Sequence, residues 1–113
     1  MRTKKFALRV IRLFQALPRT TEAQVLGKQL LRCGTSVAAN YRAACRARSK
    51  PEFIARLGIV AEEADESVLW LELLGDAHIL KQEKLEDISK EAKELAAIFS
   101  TSIKTAKGNR QSF

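Results

Sequence analysis

The chain has 113 residues, enough for one domain with a single core but too few for a core and a separate catalytic lobe. It contains five glycines and two prolines and no persistent alternation of β-branched residues, whereas long helical periodicities dominate, so the fold class is predicted to be all-α. The formal net charge of +7 divides into +11 for residues 1–50 (twelve Lys and Arg, one acid) and −4 for residues 51–113 (eight bases, twelve acids). Clustered positive charge favours a nucleic-acid or anionic-membrane partner. The alternative is that the acidic half neutralises the basic half, either within the fold or across a subunit contact.

The first helix is predicted over residues 4–17, with Thr3 as its cap and Pro18 ending it. Its basic side chains lie opposite an apolar face, which suits the first helix of a bundle. They are Lys5, Arg9 and Arg12. The same acid-free segment also resembles a transit peptide or a membrane-surface helix, and that alternative stays open. No segment has the roughly 20 consecutive apolar residues that span a membrane.

The second helix is predicted over residues 21–48, opened by a capping box of Thr21 and Gln24. At about 100° per residue, a line of side chains without acidic members lies within about 40° of a common direction, opposite an apolar stripe. The basic members of this line, termed the basic seam, are Lys28, Arg32, Arg42 and Arg46, with Thr35 and Ala39 between them. The seam is predicted to be a surface that meets an anionic partner.

Three further features of the second helix carry predictions. Gly34 lies inside the helix, where glycine costs about 1 kcal/mol relative to alanine, so it is predicted to allow another helix to approach closely. Asn40 is predicted to form a structural bridge to helix three or four. Cys33 and Cys45 lie about 18 Å apart along the helix and therefore cannot form a disulfide within the chain. Free thiols indicate a reducing, cytoplasmic location.

The third helix is predicted over residues 50–80, with Ser49 as its cap, Pro51 in its first turn and Glu52 as the capping carboxylate. Trp70 projects about 100° away from the buried face of this helix, among carboxylates, and such a tryptophan suits a protein–protein contact. The alternative is that Trp70 seals the flank of its own bundle. The predicted oligomer interface consists of Ile59, Glu63, Glu66, Trp70 and Leu73.

The fourth helix is predicted over residues 82–106, and residues 108–113 are predicted to form a frayed tail. Short connections make sequential helices antiparallel, so the predicted fold is an up-down-up-down four-helix bundle over residues 1–107. Helices two and three are expected to be longer than helices one and four, which leaves an exposed hairpin end.

No catalytic, metal or cofactor site is predicted, and the chain is not expected to be an enzyme. His78 is the single histidine, placed on the apolar side of helix three, and Gly75 stands where a ferritin-like di-iron site needs a glutamate. The Gly34-Thr35-Ser36 segment lies inside a helix, so it is not a phosphate loop. The carboxylates between Glu62 and Glu66 are expected to face solvent or to pair with arginine.

The residues QLLR at 29–32, SVAANYR at 36–42, Glu66-Ser67 and WLELL at 70–74 resemble a specific family. Its members are four-helix bundles first noticed as reading frames in intervening sequences of the large-subunit ribosomal RNA gene. The family also looks like the accessory variability determinant proteins of diversity-generating retroelements, which bind nucleic acid and a reverse transcriptase. This resemblance implies a homo-oligomer, typically a pentameric ring, without known enzymatic chemistry. One departure is Ala43, where the family often has a glutamate.

The leading hypothesis is a cytoplasmic, homo-oligomeric bundle that binds structured RNA or duplex nucleic acid electrostatically, without a cofactor. Arginine suits phosphate through its bidentate fork, and the predicted contacts are Lys5, Arg9 and Arg12 together with the basic seam. The runner-up is an interaction scaffold whose basic face meets an acidic protein partner or a neighbouring subunit. A third hypothesis is binding of helix one to a membrane surface, although no membrane partner is expected.

Overall fold

The computed structural model describes residues 1–108, which form four helices and, within that range, no strand. The helices are α1 (Arg2–Gln15), α2 (Thr21–Cys45), α3 (Lys50–Asp76) and α4 (Gln82–Gly108). Each packs on the next in sequence, and α4 closes the bundle against α1 through a much smaller contact. The predicted all-α, up-down-up-down four-helix bundle is confirmed.

Helix α1 begins and ends two residues earlier than predicted, and Thr3 is not its cap. Thr3 lies inside the first turn and is buried, while Met1 takes the cap position without contributing a side-chain hydrogen bond. At the other end, the chain leaves the helix before Pro18, and Leu17 folds back into the core. The apolar face of α1 is buried in the bundle, so this segment is a bundle helix here and its apolar side is not available to a membrane.

The caps of the two central helices set their boundaries. Thr20, and not the predicted Thr21, caps α2, because its Oγ1 accepts a hydrogen bond from the amide of Ala23 at 3.4 Å. Helix α2 ends at Cys45, three residues earlier than predicted, and Ser49 adopts the extended conformation that caps α3 (φ −151°, ψ 160°). The predicted Ser49 cap is confirmed by its bond from the Glu52 amide at 3.2 Å.

Helix α3 ends at Asp76, four residues before the predicted end at residue 80. His78 follows it with a left-handed backbone (φ 57°), and its amide donates to the Gly75 carbonyl at 3.0 Å. The amide of Ile79 donates to the Leu74 carbonyl at 3.0 Å, which completes a Schellman motif that satisfies the last carbonyls of the helix. His78 is therefore an exposed turn residue, and its predicted place on the apolar side of helix three is wrong.

Only α1 is short. It has 14 residues, whereas α2 has 25 and α3 and α4 have 27 each, so the prediction that helices two and three would be longer than helix four is wrong. The predicted frayed tail lies outside the described residues, apart from Gly108, which ends α4.

Glycines of α2 bring α1 close. A Cβ atom on Gly34 would lie 2.8 Å from Val10 Cγ2, and one on Gly27 would lie 2.9 Å from Phe14 Cδ1, both inside van der Waals contact. The predicted role of Gly34 in close helix packing is confirmed. Because Val10 and Phe6 are fully buried, this approach also fixes α1 over the core. No helix within residues 1–108 combines the length and the apolar character needed to cross a membrane.

Candidate nucleic-acid interface

Three bases of the basic seam, Lys28, Arg32 and Arg42, lie on the outer face of α2, whereas Arg46, predicted to lie inside the helix, is its C-cap. All four are exposed. Between these bases, the Thr35 hydroxyl donates a hydrogen bond to the Leu31 carbonyl of the same helix at 2.7 Å. Its proton is therefore already used within α2. The helix itself sets this line, because α2 runs without interruption from Thr21 to Cys45.

Arg32 differs from the other seam residues because acids of α3 engage it. Its Nη2 lies 2.9 Å from Glu66 Oε1 and its Nη1 lies 3.4 Å from Glu63 Oε2. Lys28, Arg42 and Arg46 form no ion pair within residues 1–108. The seam therefore presents three uncommitted charges, with the fourth neutralised inside the protomer.

The same cluster places one thiol beside the two carboxylates. The ligand atoms of Cys33, Glu63 and Glu66 all lie within 4.8 Å of one another, a separation that a metal ion could bridge. However, Nη2 of Arg32 also donates to Cys33 Sγ at 3.3 Å. The Arg32 guanidinium therefore already contacts the thiol and both carboxylates. Burial, with help from a hydrogen bond to Glu63, raises the pKa of Cys33 to about 12, which keeps the thiol protonated. The contacts of Arg32 with all three groups make this arrangement an ion-pair cluster.

The predicted interface residues of α3 adjoin this cluster. Ile59 is 37% exposed, Trp70 and Leu73 are half-buried, and Trp70 Nε1 donates to Glu66 Oε1 at 3.4 Å. Trp70 packs partly against the core of its own bundle and partly faces outward, which leaves both of its predicted roles open. Glu63 and Glu66 bind Arg32 of the same protomer. A neighbouring subunit would thus meet carboxylates that are already paired.

The bases of α1 form a second, separate surface. Arg9 and Arg12 line a pocket of about 340 Å³ together with Lys84 of α4, a base that sequence reasoning did not associate with them. The apolar part of this pocket comprises Leu13, Ala16, Leu80 and Ile88. Lys5 is exposed on the same helix. Because this set lies beside α4 whereas Arg32 of the seam contacts α3, the structure does not join the two predicted groups of bases into one surface.

The ion pairs of the described chain link its basic and acidic halves. Arg2 forms a bidentate pair with Glu91, at 2.8 Å for both Nε and Nη2, and its Nη2 lies 3.8 Å from Glu94. The hydrogen bond from Arg2 lowers the pKa of Glu91. Together with the Arg32 cluster, this shows that the acidic half neutralises part of the basic half within the fold, and that it leaves Lys28, Arg42 and Arg46 without such pairing.

Asn40 bridges α2 to α3, as predicted. Arg56 Nη1 of α3 donates to its Oδ1 at 3.3 Å, while its Nδ2 donates to the Ser36 carbonyl at 3.0 Å. The amide is thus a structural link beside the seam. The sequence did not indicate that Arg56 of α3 is the partner of Asn40. That contact depends on how the two antiparallel helices align when they pack.

Comparison with known proteins identifies the relatives of this chain. The family model described as 23S rRNA-intervening sequence protein matches residues 1–101. Among solved structures, the chain is similar to a protein of unknown function from the S23 ribosomal protein family of Bacteroides thetaiotaomicron. The two share 36% sequence identity with a TM-score of 0.85, over 91% of this chain and 95% of the other. Comparison with curated proteins found no match.

Proposed function

Since this chain belongs to the family of 23S rRNA-intervening sequence proteins, we propose that it binds structured RNA or duplex nucleic acid electrostatically, as a homo-oligomer. The observation that supports this proposal is the exposure of Lys28 and Arg42 along one face of α2 and of Arg46 at its C-cap, without ionic partners in residues 1–108. From Lys28 to Arg46 this face extends about 27 Å, the length of roughly eight base pairs. Phosphate contacts of this kind position a protein on nucleic acid without reading its sequence.

The Arg32 cluster changes the expected salt dependence. Four neutralised phosphates predict a slope of log K against log salt of about −0.9 × 4, or about −3.6, for duplex DNA. With Arg32 committed to Glu63 and Glu66, three contacts remain and the slope per protomer is expected to be about −2.7. Arg32→Ala is accordingly expected to change the slope less than Arg42→Ala.

The test is fluorescence anisotropy with a labelled RNA hairpin and a DNA duplex, titrated at several salt concentrations. Charge reversal by Arg42→Glu with Arg46→Glu is expected to abolish binding, because each change removes an attraction and adds a repulsion. Lys90→Glu with Lys93→Glu is the matched control, since it alters net charge equally but lies on α4 beside α3. Equal loss of binding in both double variants would show that net charge matters and the seam does not, and no binding by the unaltered protein at low salt would refute the proposal.

A second candidate function is a protein-interaction scaffold in which the basic face meets an acidic partner or a neighbouring subunit. The pairing of Arg32 with α3 carboxylates supports this second candidate. It shows that acidic side chains on a helix form ion pairs with a base of the seam. In this case Arg42→Glu with Arg46→Glu breaks the oligomer, whereas under the first proposal the oligomer survives. Size-exclusion chromatography with light scattering distinguishes the two outcomes.

For self-association we propose the face formed by Ile59, Glu63, Glu66, Trp70 and Leu73. It carries partly exposed apolar side chains beside neutralised carboxylates, which is the composition expected of an interface core with a polar rim. A pentameric ring and the relation to accessory variability determinant proteins stay predictions from the resemblance, and a cytoplasmic location stays a prediction from the free thiols. The α1 surface of Lys5, Arg9 and Arg12 is proposed as a second, weaker nucleic-acid contact.

A further inference from the structure

The pocket between α1 and α4 combines basic and apolar side chains. Its bases are Arg9 and Arg12 of α1 and Lys84 of α4, and its apolar walls are Leu13, Ala16, Leu80 and Ile88. Arg12 and Lys84 are exposed whereas Ile88 is only 4% exposed, so the charges lie toward solvent and the apolar surface lies deeper. At about 340 Å³ the pocket falls in the lower part of the range of small-molecule sites, so a compact ligand would fill it.

The three bases carry positive charge that no ion pair neutralises. No acidic residue within residues 1–108 lines the pocket, and none of its bases belongs to an ion pair in that range. The charge of Arg9 reaches Glu91, but the pKa of Glu91 is lowered chiefly by its hydrogen bond from Arg2, which contacts both carboxylate oxygens at 2.8 Å. Like charges around one pocket repel each other, so a bound anion relieves this repulsion as well as attracting each base.

The bases determine the head group of the ligand. Each arginine can donate two parallel hydrogen bonds to a phosphate, and a phosphate monoester carries a charge of about −1.5 to −2 at pH 7. A carboxylate carries a single charge and would leave more of the positive charge at this pocket unmatched. Three bases from two helices therefore match a phosphate monoester better than a carboxylate.

The apolar walls determine the body of the ligand. Leu13, Leu80 and Ile88 offer aliphatic surface, and no aromatic ring within residues 1–108 lines the pocket. Proteins bind unstacked nucleobases largely on aromatic side chains, so these walls do not suit a nucleobase. The phosphates of a nucleic-acid backbone would use the bases and leave the aliphatic walls unused. An aliphatic body, by contrast, stabilises binding in proportion to the apolar area that it removes from water.

We propose that this pocket binds a compact phosphate monoester with an aliphatic body. The phosphate pairs with the bases of α1 and α4, and the body packs on the leucine and isoleucine side chains. The site goes beyond the proposed binding of nucleic acid, because its apolar walls have no role in a backbone contact. It is also independent of the basic seam, with which it shares no residue.

Such a ligand would join two helices that contact each other weakly. Helix α1 packs chiefly on α2, and its contact with α4 is much smaller. A phosphate held by Arg12 and Lys84 bridges α1 to α4, so the bound ligand is expected to slow the exchange of α1 amides with solvent.

The test uses octyl phosphate, kept below the concentration at which it forms micelles. It is titrated into the ¹⁵N-labelled full-length protein, and the amide shifts give both its affinity and its place of binding. Octyl phosphate is expected to bind about tenfold or more tightly than methyl phosphate, which lacks the aliphatic body, and than octanol, which lacks the charge. Saturation is expected to slow exchange of α1 amides about threefold or more.

Two pairs of variants test the named contacts, with circular dichroism as the check on folding. Arg12→Gln is expected to weaken octyl phosphate about fivefold or more, whereas Arg19→Gln, at an exposed arginine that does not line the pocket, is expected to have no effect. Ala16→Phe fills the pocket and is expected to abolish binding. Ala77→Phe is its control, because Ala77 is exposed and caps the end of α3 with φ −82° and ψ 3°, close to the −89° and −5° of Ala16 at the end of α1.

The double variant Arg42→Glu with Arg46→Glu separates this site from the basic seam, and it is expected to bind octyl phosphate as the unaltered protein does. Loss of octyl phosphate binding in this variant would overturn the proposal, because the ligand would then lie on the seam. Equal affinities for methyl and octyl phosphate would also overturn it, since the bases would then bind phosphate alone, as they would on nucleic acid. Unchanged binding in folded Ala16→Phe, or in Arg12→Gln, would show that the ligand does not occupy this pocket.

Discussion

Two glycines inside helices provide a matched test of how α1 is held. A Cβ atom added at Gly58 of α3 meets no heavy atom within 4 Å, so Gly58→Ala is expected to raise the free energy of unfolding by up to about 1 kcal/mol through helix propensity. At Gly34 the same atom would lie 2.8 Å and 2.9 Å from the two methyl carbons of Val10. Val10 is fully buried and β-branched, so its side chain cannot rotate away. Overpacking of this kind costs about 1–3 kcal/mol, so Gly34→Ala is expected to be less stable than Gly58→Ala by about that amount.

Urea unfolding followed by circular dichroism measures the difference. Because the cost at Gly34 is assigned to one neighbour, Val10→Ala in the Gly34→Ala background is expected to show a favourable coupling energy of about 1 kcal/mol or more in a double-mutant cycle. The same Val10→Ala change combined with Gly58→Ala is expected to be additive, since nothing joins the two sites. Equal stability of the two glycine variants would refute the close packing of α1 on α2 at Gly34.

Three further predictions concern assembly, a turn and pH. Trp70→Ala is expected to weaken the proposed oligomer by about 2 kcal/mol per contact while helicity survives; an unchanged mass by light scattering with a large fall in melting temperature would place Trp70 in the protomer core. His78→Gly is expected to raise the free energy of unfolding in urea by about 1 kcal/mol, because φ of 57° is strained for a residue with a Cβ; a decrease would contradict this. Arg2 lowers the pKa of Glu91, so their pairing stabilises the fold above the unfolded carboxyl pKa of about 4.3 and is lost as pH falls through the folded pKa. Arg2→Gln should therefore reduce the melting temperature near neutral pH and converge with the unaltered protein in acid, whereas parallel curves would argue against the pairing.

The helices and their order follow from patterns that local sequence carries. The 3.6-residue period of the apolar positions predicts four helices, and the position of Gly34 among core-facing residues predicts a close helix contact. The outward direction of the basic seam follows from the same period, since the opposite side of α2 is apolar. These features depend on neighbours within one helix, which is the range over which sequence patterns are informative.

The features that escaped prediction depend on how helices align with one another. Arg32 meets Glu63 and Glu66 only because α2 and α3 pack antiparallel in one particular register, and 31 and 34 residues of chain separate these partners. Thr20 and not Thr21 caps α2. Composition does not distinguish two adjacent threonines, because helix ends are defined only to within one or two residues.

The length of α1 also has a consequence for how the native bundle opens. This helix has 14 residues, packs chiefly on α2 and touches α4 much less, so its detachment breaks fewer contacts than detachment of a longer helix would. Its amides are expected to exchange with solvent through local opening, at a lower free energy than those of the three longer helices. Detachment would uncover Gly27 and Gly34 on α2, a groove shaped for one particular helix, and an identical α1 from a second copy would fit it equally well. In such an exchange of first helices between two chains, residues 16–20, which follow α1, would serve as the hinge.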